Sequence, residues 1–190
     1  MKKLLFLSVI LVLAFSGTVQ GVEYLYWANA FGGSLARSFA DGTGLDPMWY
    51  TGCNSPNGLD NNDQYIFWGD TGLNSIGRID FDGSNGDPTF ITGCNQPSFV
   101  VIDDNYIYWT NVGTHYLGRA NLDGSGVNQT FLNLLNGAYA CAVDANYIYW
   151  ARDVGAIARA NIDGSSPDYT WISGIPNLVG VIVDDNYIYW

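Results

Sequence analysis

Carboxylates in tight turns are the first side chains in this chain that could do chemistry. The stretch Asp80-Phe81-Asp82-Gly83-Ser84-Asn85-Gly86-Asp87 carries side-chain oxygens at alternate positions from Asp80 through Asp82, a pattern that could hold calcium. The stretch lacks the full Asp-x-Asp-x-Asp-Gly order and the closing bidentate Glu. Asp-Gly is also ordinary hairpin chemistry, so these residues read as turn formers and no metal site is expected. The acid pairs Asp103-Asp104 and Asp184-Asp185, with Asp144 at the matching place, could serve acid–base catalysis. They recur at one tight turn, which points to turn formation and arginine pairing instead. His115 is the single histidine. It has no second histidine for a metal pair and no Ser or Cys at motif distance, so neither a zinc site nor a nucleophile–His arrangement is supported. Arg37, Arg78, Arg119 and Arg159 could form a column of cations for an anionic ligand, or pair with aspartates and backbone carbonyls. A group repeated in every unit usually belongs to the construction of the repeat.

These residues recur because the whole chain is periodic. Trp27, Trp68, Trp109, Trp150 and Trp190 are separated by 41, 41, 41 and 40 residues. The four arginines keep steps of 41, 41 and 40, and so do the pairs beginning at Asp41, Asp82, Asp123 and Asp163. The clearest unit predicts four strands at residues 98–103, 106–110, 115–122 and 127–133, joined by turns at Asp104-Asn105 and Asp123-Gly124 and by a glycine-containing loop. Side chains alternate along a strand, so Tyr106 and Tyr108 face one side while Ile107 and Trp109 face the other. Both sides need cover, and stacking neighbouring sheets provides it. Each indole can bury about 150–250 Å², worth roughly 4–6 kcal/mol before entropy is subtracted. Four-stranded sheets repeating at this length are a β-propeller signature.

The chain opens with Lys2 and Lys3, an apolar run over residues 4–15 and small residues at Ser16, Gly17 and Gly21. That order predicts a secretory signal peptide over residues 1–21, cleaved after Ser16 or after Gly21, with a run too short to span a bilayer. Beyond it lie five arginines and no lysine, against 17 aspartates and Glu23, a net charge of −13. Such a surface repels phosphate backbones and anionic lipid, which makes nucleic acid and membrane poor partners and a basic protein surface a good one. There are three cysteines, an odd number for an exported chain. Cys53 and Cys94 occupy equivalent TGCN loops, too far apart in adjacent units for a bond to be expected. Cys141 reads as a small core residue.

The segments NYIYWTN, LGRANLDGS and AVDANYIYW resemble LDL-receptor class B (YWTD) repeats across residues 22–190. At the marker itself the chain departs: Asn29, Asn111 and Arg152 stand where the fourth residue should be Asp, and only Asp70 keeps the acid. The resemblance implies an all-β propeller of four-stranded antiparallel blades, of which about four are present. The family's ring has six blades, so residues 22–190 are expected to form an open fragment, beginning without a first strand before Glu23 and ending within a second strand at Trp190. The alternative is a closed four-bladed ring in which residues 179–184 supply the missing strand. The resemblance further implies an extracellular or cell-envelope binding module without cofactor, taking a protein ligand on loops at one face. Those loops carry the non-repeating residues Phe31, Asp70, His115, Tyr116, Arg152 and Asp153. A metal-dependent propeller enzyme such as a lactonase would need polar groups on the innermost strands, which read GLDNN, SFVVID, YACAVD and LVGVIVD, nearly all apolar. A structural cell-surface array is the third reading.

Overall fold

A computed structural model describes residues 18–19, 22–135, 138–184 and 186–190. The expected signal peptide lies outside the described residues except for Thr18 and Val19. All of the regular structure described is β. Sheet 1 comprises β1 (Thr18–Val19), β2 (Val22–Asn29), β3 (Ser34–Phe39) and β4 (Asp46–Tyr50). Sheet 2 comprises β5 (Pro56–Asn61), β6 (Tyr65–Asp70), β7 (Ser75–Asp80) and β8 (Asp87–Ile91). Sheet 3 comprises β9 (Pro97–Ile102), β10 (Tyr106–Asn111), β11 (Tyr116–Asn121) and β12 (Asn128–Asn133). Sheet 4 comprises β13 (Ala138–Val143), β14 (Tyr147–Arg152), β15 (Ala156–Asn161) and β16 (Asp168–Ser173). A two-stranded ribbon of β17 (Ile182–Val183) and β18 (Ile188–Tyr189) follows.

Each sheet is an antiparallel meander in chain order. The turn between its third and fourth strands is an Asx-turn closed by glycine: Gly42, Gly83, Gly124 and Gly164 adopt φ of 84°, 90°, 83° and 85°, a region where a Cβ is costly. The aspartate before each glycine accepts the backbone N–H two residues on, at 2.8–2.9 Å.

Successive sheets stack by one rule. The tyrosine side of sheet 3 (Tyr108, Leu117) packs on the indole side of sheet 4 (Ile148, Trp150). Phe67 and Ile76 of sheet 2 meet Ile107 and Trp109 in the same way, as Tyr26 and Leu35 meet Ile66 and Trp68. Trp68, Trp109 and Trp150 are fully buried. Opposite Trp68 and Trp109 in the register stand Gly77 and Gly118. A Cβ on either glycine would collide with the indole ring where it lies; in sheet 4 the place opposite Trp150 is taken by Ala158.

The ends depart from this pattern. Trp27 is half-buried, with no sheet among the described residues packed on its side of sheet 1, and Trp190, beyond β18, is 60% exposed. The expectation that no strand precedes Glu23 is corrected, since Thr18 pairs with Glu23 and Val19 with Val22. The closed-ring alternative is also corrected. Ile182 and Val183 pair with Tyr189 and Ile188 rather than with sheet 1, across a local turn in which Asp184 accepts the N–H groups of Asn186 and Tyr187.

Candidate functional site

The meander gives the array two ends. At the loop end lie the connections between second and third strands and those between sheets. At the turn end lie the two hairpin turns of each sheet.

The six non-repeating residues expected at a binding face all belong to the loop end, but their settings differ. Phe31 is 92% exposed and Asp153 is exposed, while Tyr116 is half-buried. Asp70 is fully buried. Its Oδ2 accepts the N–H of Asn54 at 2.8 Å, and its Oδ1 those of Ser55, Gly72 and Leu73 at 3.0–3.1 Å. Asp70 therefore ties its own loop to the connection arriving from sheet 1 and offers little to a ligand. In sheet 3 the same place is held by buried Asn111, which accepts the N–H of Asn95 at 2.9 Å and donates to the Gln129 carbonyl at 3.1 Å. In sheet 4 it is held by Arg152, which donates from Nη1 to the Tyr169 carbonyl at 2.8 Å. His115 is half-buried with φ 60° and an unpartnered Nδ1. Gly33, Asn74 and Gly155 adopt the same left-handed conformation at the matching positions.

The turn end is where the charge gathers. Every described aspartate except Asp70 and Asp153 lies in or beside a hairpin turn or toward that end of its strand. Asp41, Asp63, Asp82, Asp104, Asp123 and Asp163 are exposed. A depression of about 360 Å³ between sheets 3 and 4 is lined by Asp103, Asp104, Tyr106, Arg119, Ile162 and Asp163, among others. Asp103 uses Oδ1 to accept the N–H groups of Asn105 and Tyr106, both at 2.7 Å, and Oδ2 to accept the Tyr108 hydroxyl at 2.9 Å. Asp144 and Asp184 repeat this with Tyr149 and Tyr189. Burial, then the bond to Asp144, pushes the Tyr149 hydroxyl up to about 12.

The arginines expected to pair with aspartates or carbonyls are instead held between rings. Arg119 lies 4.3 Å from the Tyr106 centroid and 3.9 Å from that of Phe131. Arg37, Arg78 and Arg159 sit likewise between Tyr24 and Trp49, Tyr65 and Phe90, and Tyr147 and Trp171. The fourth-strand aromatics follow the 41-residue step and were open to view in the sequence. Their meaning was not, because an aromatic in a strand reads first as core.

Cys53, Cys94 and Cys141 are free thiols, pushed up by burial to about 12, about 11 and about 12, so none is a reactive thiolate at neutral pH. Among the described residues no three His, Cys, Asp or Glu side chains are grouped to hold a metal. No described helix is long and apolar enough to cross a membrane.

Stacked four-stranded meanders with their first strands innermost define a β-propeller array. Residues 105–145 match the family model of the low-density lipoprotein receptor repeat class B, and the chain carries a repeat of that class. A chain of the nidogen/laminin complex superposes with a TM-score of 0.68 at 22% identity, over 86% of this chain and 66% of that one. Virginiamycin B lyase from Staphylococcus aureus gives 0.68 at 16% identity, covering 92% and 60%. A gluconolactonase from Xanthomonas campestris gives 0.67 at 17%, covering 85% and 63%. The chain thus spans about two thirds or less of each neighbour, and at these identities the likeness is one of fold. No curated protein matches the sequence.

Proposed function

We propose that the chain is a secreted, non-catalytic binding module that docks a basic protein surface on its acidic turn end. Loop-end binding and a basic partner are both expected from the sequence; most carboxylates lie at the end opposite those loops, and charge favours the turn end. The observation that carries the reading is the collection of carboxylates at one end, with the loop end holding few charges. The four repeat arginines, each stacked between two rings, keep their charge and offset only part of this field: Arg119 favours the ionised Asp163, but the carboxylates of this end outnumber the arginines. The nidogen/laminin neighbour, a protein–protein complex by name, agrees with a protein partner.

The test is capture of extracellular proteins on the immobilised chain at two salt concentrations, beside an Asp63→Asn/Asp104→Asn/Asp163→Asn variant. Basic proteins are expected to bind at low salt and to elute near 1 M, where the screening length is about 3 Å. The variant is expected to retain less. Capture that survives both the salt and the substitutions would overturn the acidic-end reading.

A further inference from the structure

One part-buried carboxylate near the turn end is held between two sheets rather than in a turn. Asp60 lies on β5, the innermost strand of sheet 2, in the row where β9 and β13 carry Val101 and Ala142. Its Oδ2 accepts the Ile102 N–H at 3.0 Å and its Oδ1 the Asn61 N–H at 2.8 Å. Ile102 belongs to β9, the innermost strand of sheet 3. The neighbouring Asp103 N–H bonds back to Tyr106, so the Ile102 N–H points away from its own sheet as an open-edge donor. Asp60 thus laces two sheets together where they meet most closely.

Among the described residues no cation is paired with this carboxylate. β9 carries no ionisable side chain. β6 brings Tyr65 and Asp70, the latter spent on loop N–H groups, and β2 brings Glu23, Tyr24 and Tyr26. None of these contributes to the proton affinity of Asp60, which burial raises and the Ile102 and Asn61 N–H groups lower. From β13 comes Cys141, whose thiol is pushed up first by burial and then by Asp60.

We propose that Asp60 is a proton-operated latch between sheets 2 and 3: its Oδ2 can accept the Ile102 N–H with or without a proton, but the charge gained on ionising lies between apolar strands with no described cation beside it, and that uncompensated charge loosens the closed arrangement. Burial raises its carboxyl from 3.8 to about 6. A raised value means stability fully present below 3.8 and lost as pH climbs through about 6. Two units correspond to a factor of about 100 in the closing equilibrium.

The test follows the hydrogen-exchange protection of the Ile102 amide from pH 4.5 to 7.5, corrected for the intrinsic exchange rate, with the Ile157 amide of sheet 4 as reference. Protection at Ile102 is expected to fall by up to about 100-fold, and by more than at Ile157. In Asp60→Asn, which keeps an acceptor and cannot ionise, it should stay level. A level profile in the unmodified protein, or an unchanged fall in the variant, overturns the latch. Should the variant fail to fold, carboxyl-carbon NMR of the unmodified protein decides: a midpoint near 6 supports the proposal and one near 3.8 overturns it.

Discussion

At the scale of single residues, the repeat tolerates change only where the replacement does the same physical work. Asp70, Asn111 and Arg152 occupy one place and all tether the loop end, one by accepting N–H groups, one by both accepting and donating, one by donating to a carbonyl. At the first turn, Asp103 and Asp144 bind tyrosine hydroxyls, whereas sheet 2 carries Asn62 opposite Phe67. Acid and hydroxyl are lost together there, so neither is left unpaired. His115 is the less comfortable case, a branched ring in a left-handed conformation that sheets 1 and 4 give to glycine. His115→Asn should lie within about 0.5 kcal/mol of the parent, because Asn74 already holds φ 54° at the equivalent point. His115→Val, β-branched, should cost about 1–2 kcal/mol. Urea midpoints measure both. Equal midpoints for the two variants would show that backbone conformation is not what constrains this position.

At the scale of the element, each sheet is fastened by a stack that crosses its outer strands and reaches the next sheet. In sheet 3 the order is Tyr106, Arg119, Phe131, and the ring of Phe131 then meets Gly164 in the turn of sheet 4. Phe90 makes the same contact with Gly124, and Trp49 with Gly83. The guanidinium fits because it is flat and presents a face to each ring. Lysine keeps the charge but cannot lie flat between two rings. Arg119→Lys is therefore expected to lose about 1 kcal/mol and Arg119→Met somewhat more. A double-mutant cycle of Arg119→Met with Phe131→Leu should show a coupling of about 0.5–1 kcal/mol. Additive losses would mean that the ring and the cation are merely neighbours. The same stack explains why reading these arginines as partners of carboxylates misplaces them: spacing marks a residue as structural without revealing what it touches.

At the scale of the molecule, what could be read from the sequence was whatever repeats. The tryptophan and Asp-Gly steps located the strands to within a residue or two, and the alternation in YIYW assigned the two sides of each sheet correctly. Features that occur once stayed hidden. β1 is two residues within the expected leader, and Asp60 is one acid in an apolar row whose cross-sheet partner is a backbone N–H. The separation of charge was hidden for another reason, since aspartates spread evenly along the chain gather at one end only after alternate strands reverse direction. That gathering has a consequence for stability that runs opposite to its consequence for binding. The turn-end carboxylates repel one another at neutral pH, with Asp41, Asp82, Asp123 and Asp163 held below the ordinary carboxylate range by the side chain and N–H of the Thr or Ser two residues on. They therefore stay ionised well into the acid range, and the repulsion is relieved by screening more readily than by mild acid. Raising sodium chloride from about 0.05 to 1 M at pH 7.5 should raise Tm by several degrees, while capture of a basic partner over the same range falls. Calorimetry beside the binding assay separates the two effects. A Tm that drops as salt is added would mean that ion pairs, rather than like charges, dominate the turn end, and the surface left for a basic partner would be correspondingly smaller.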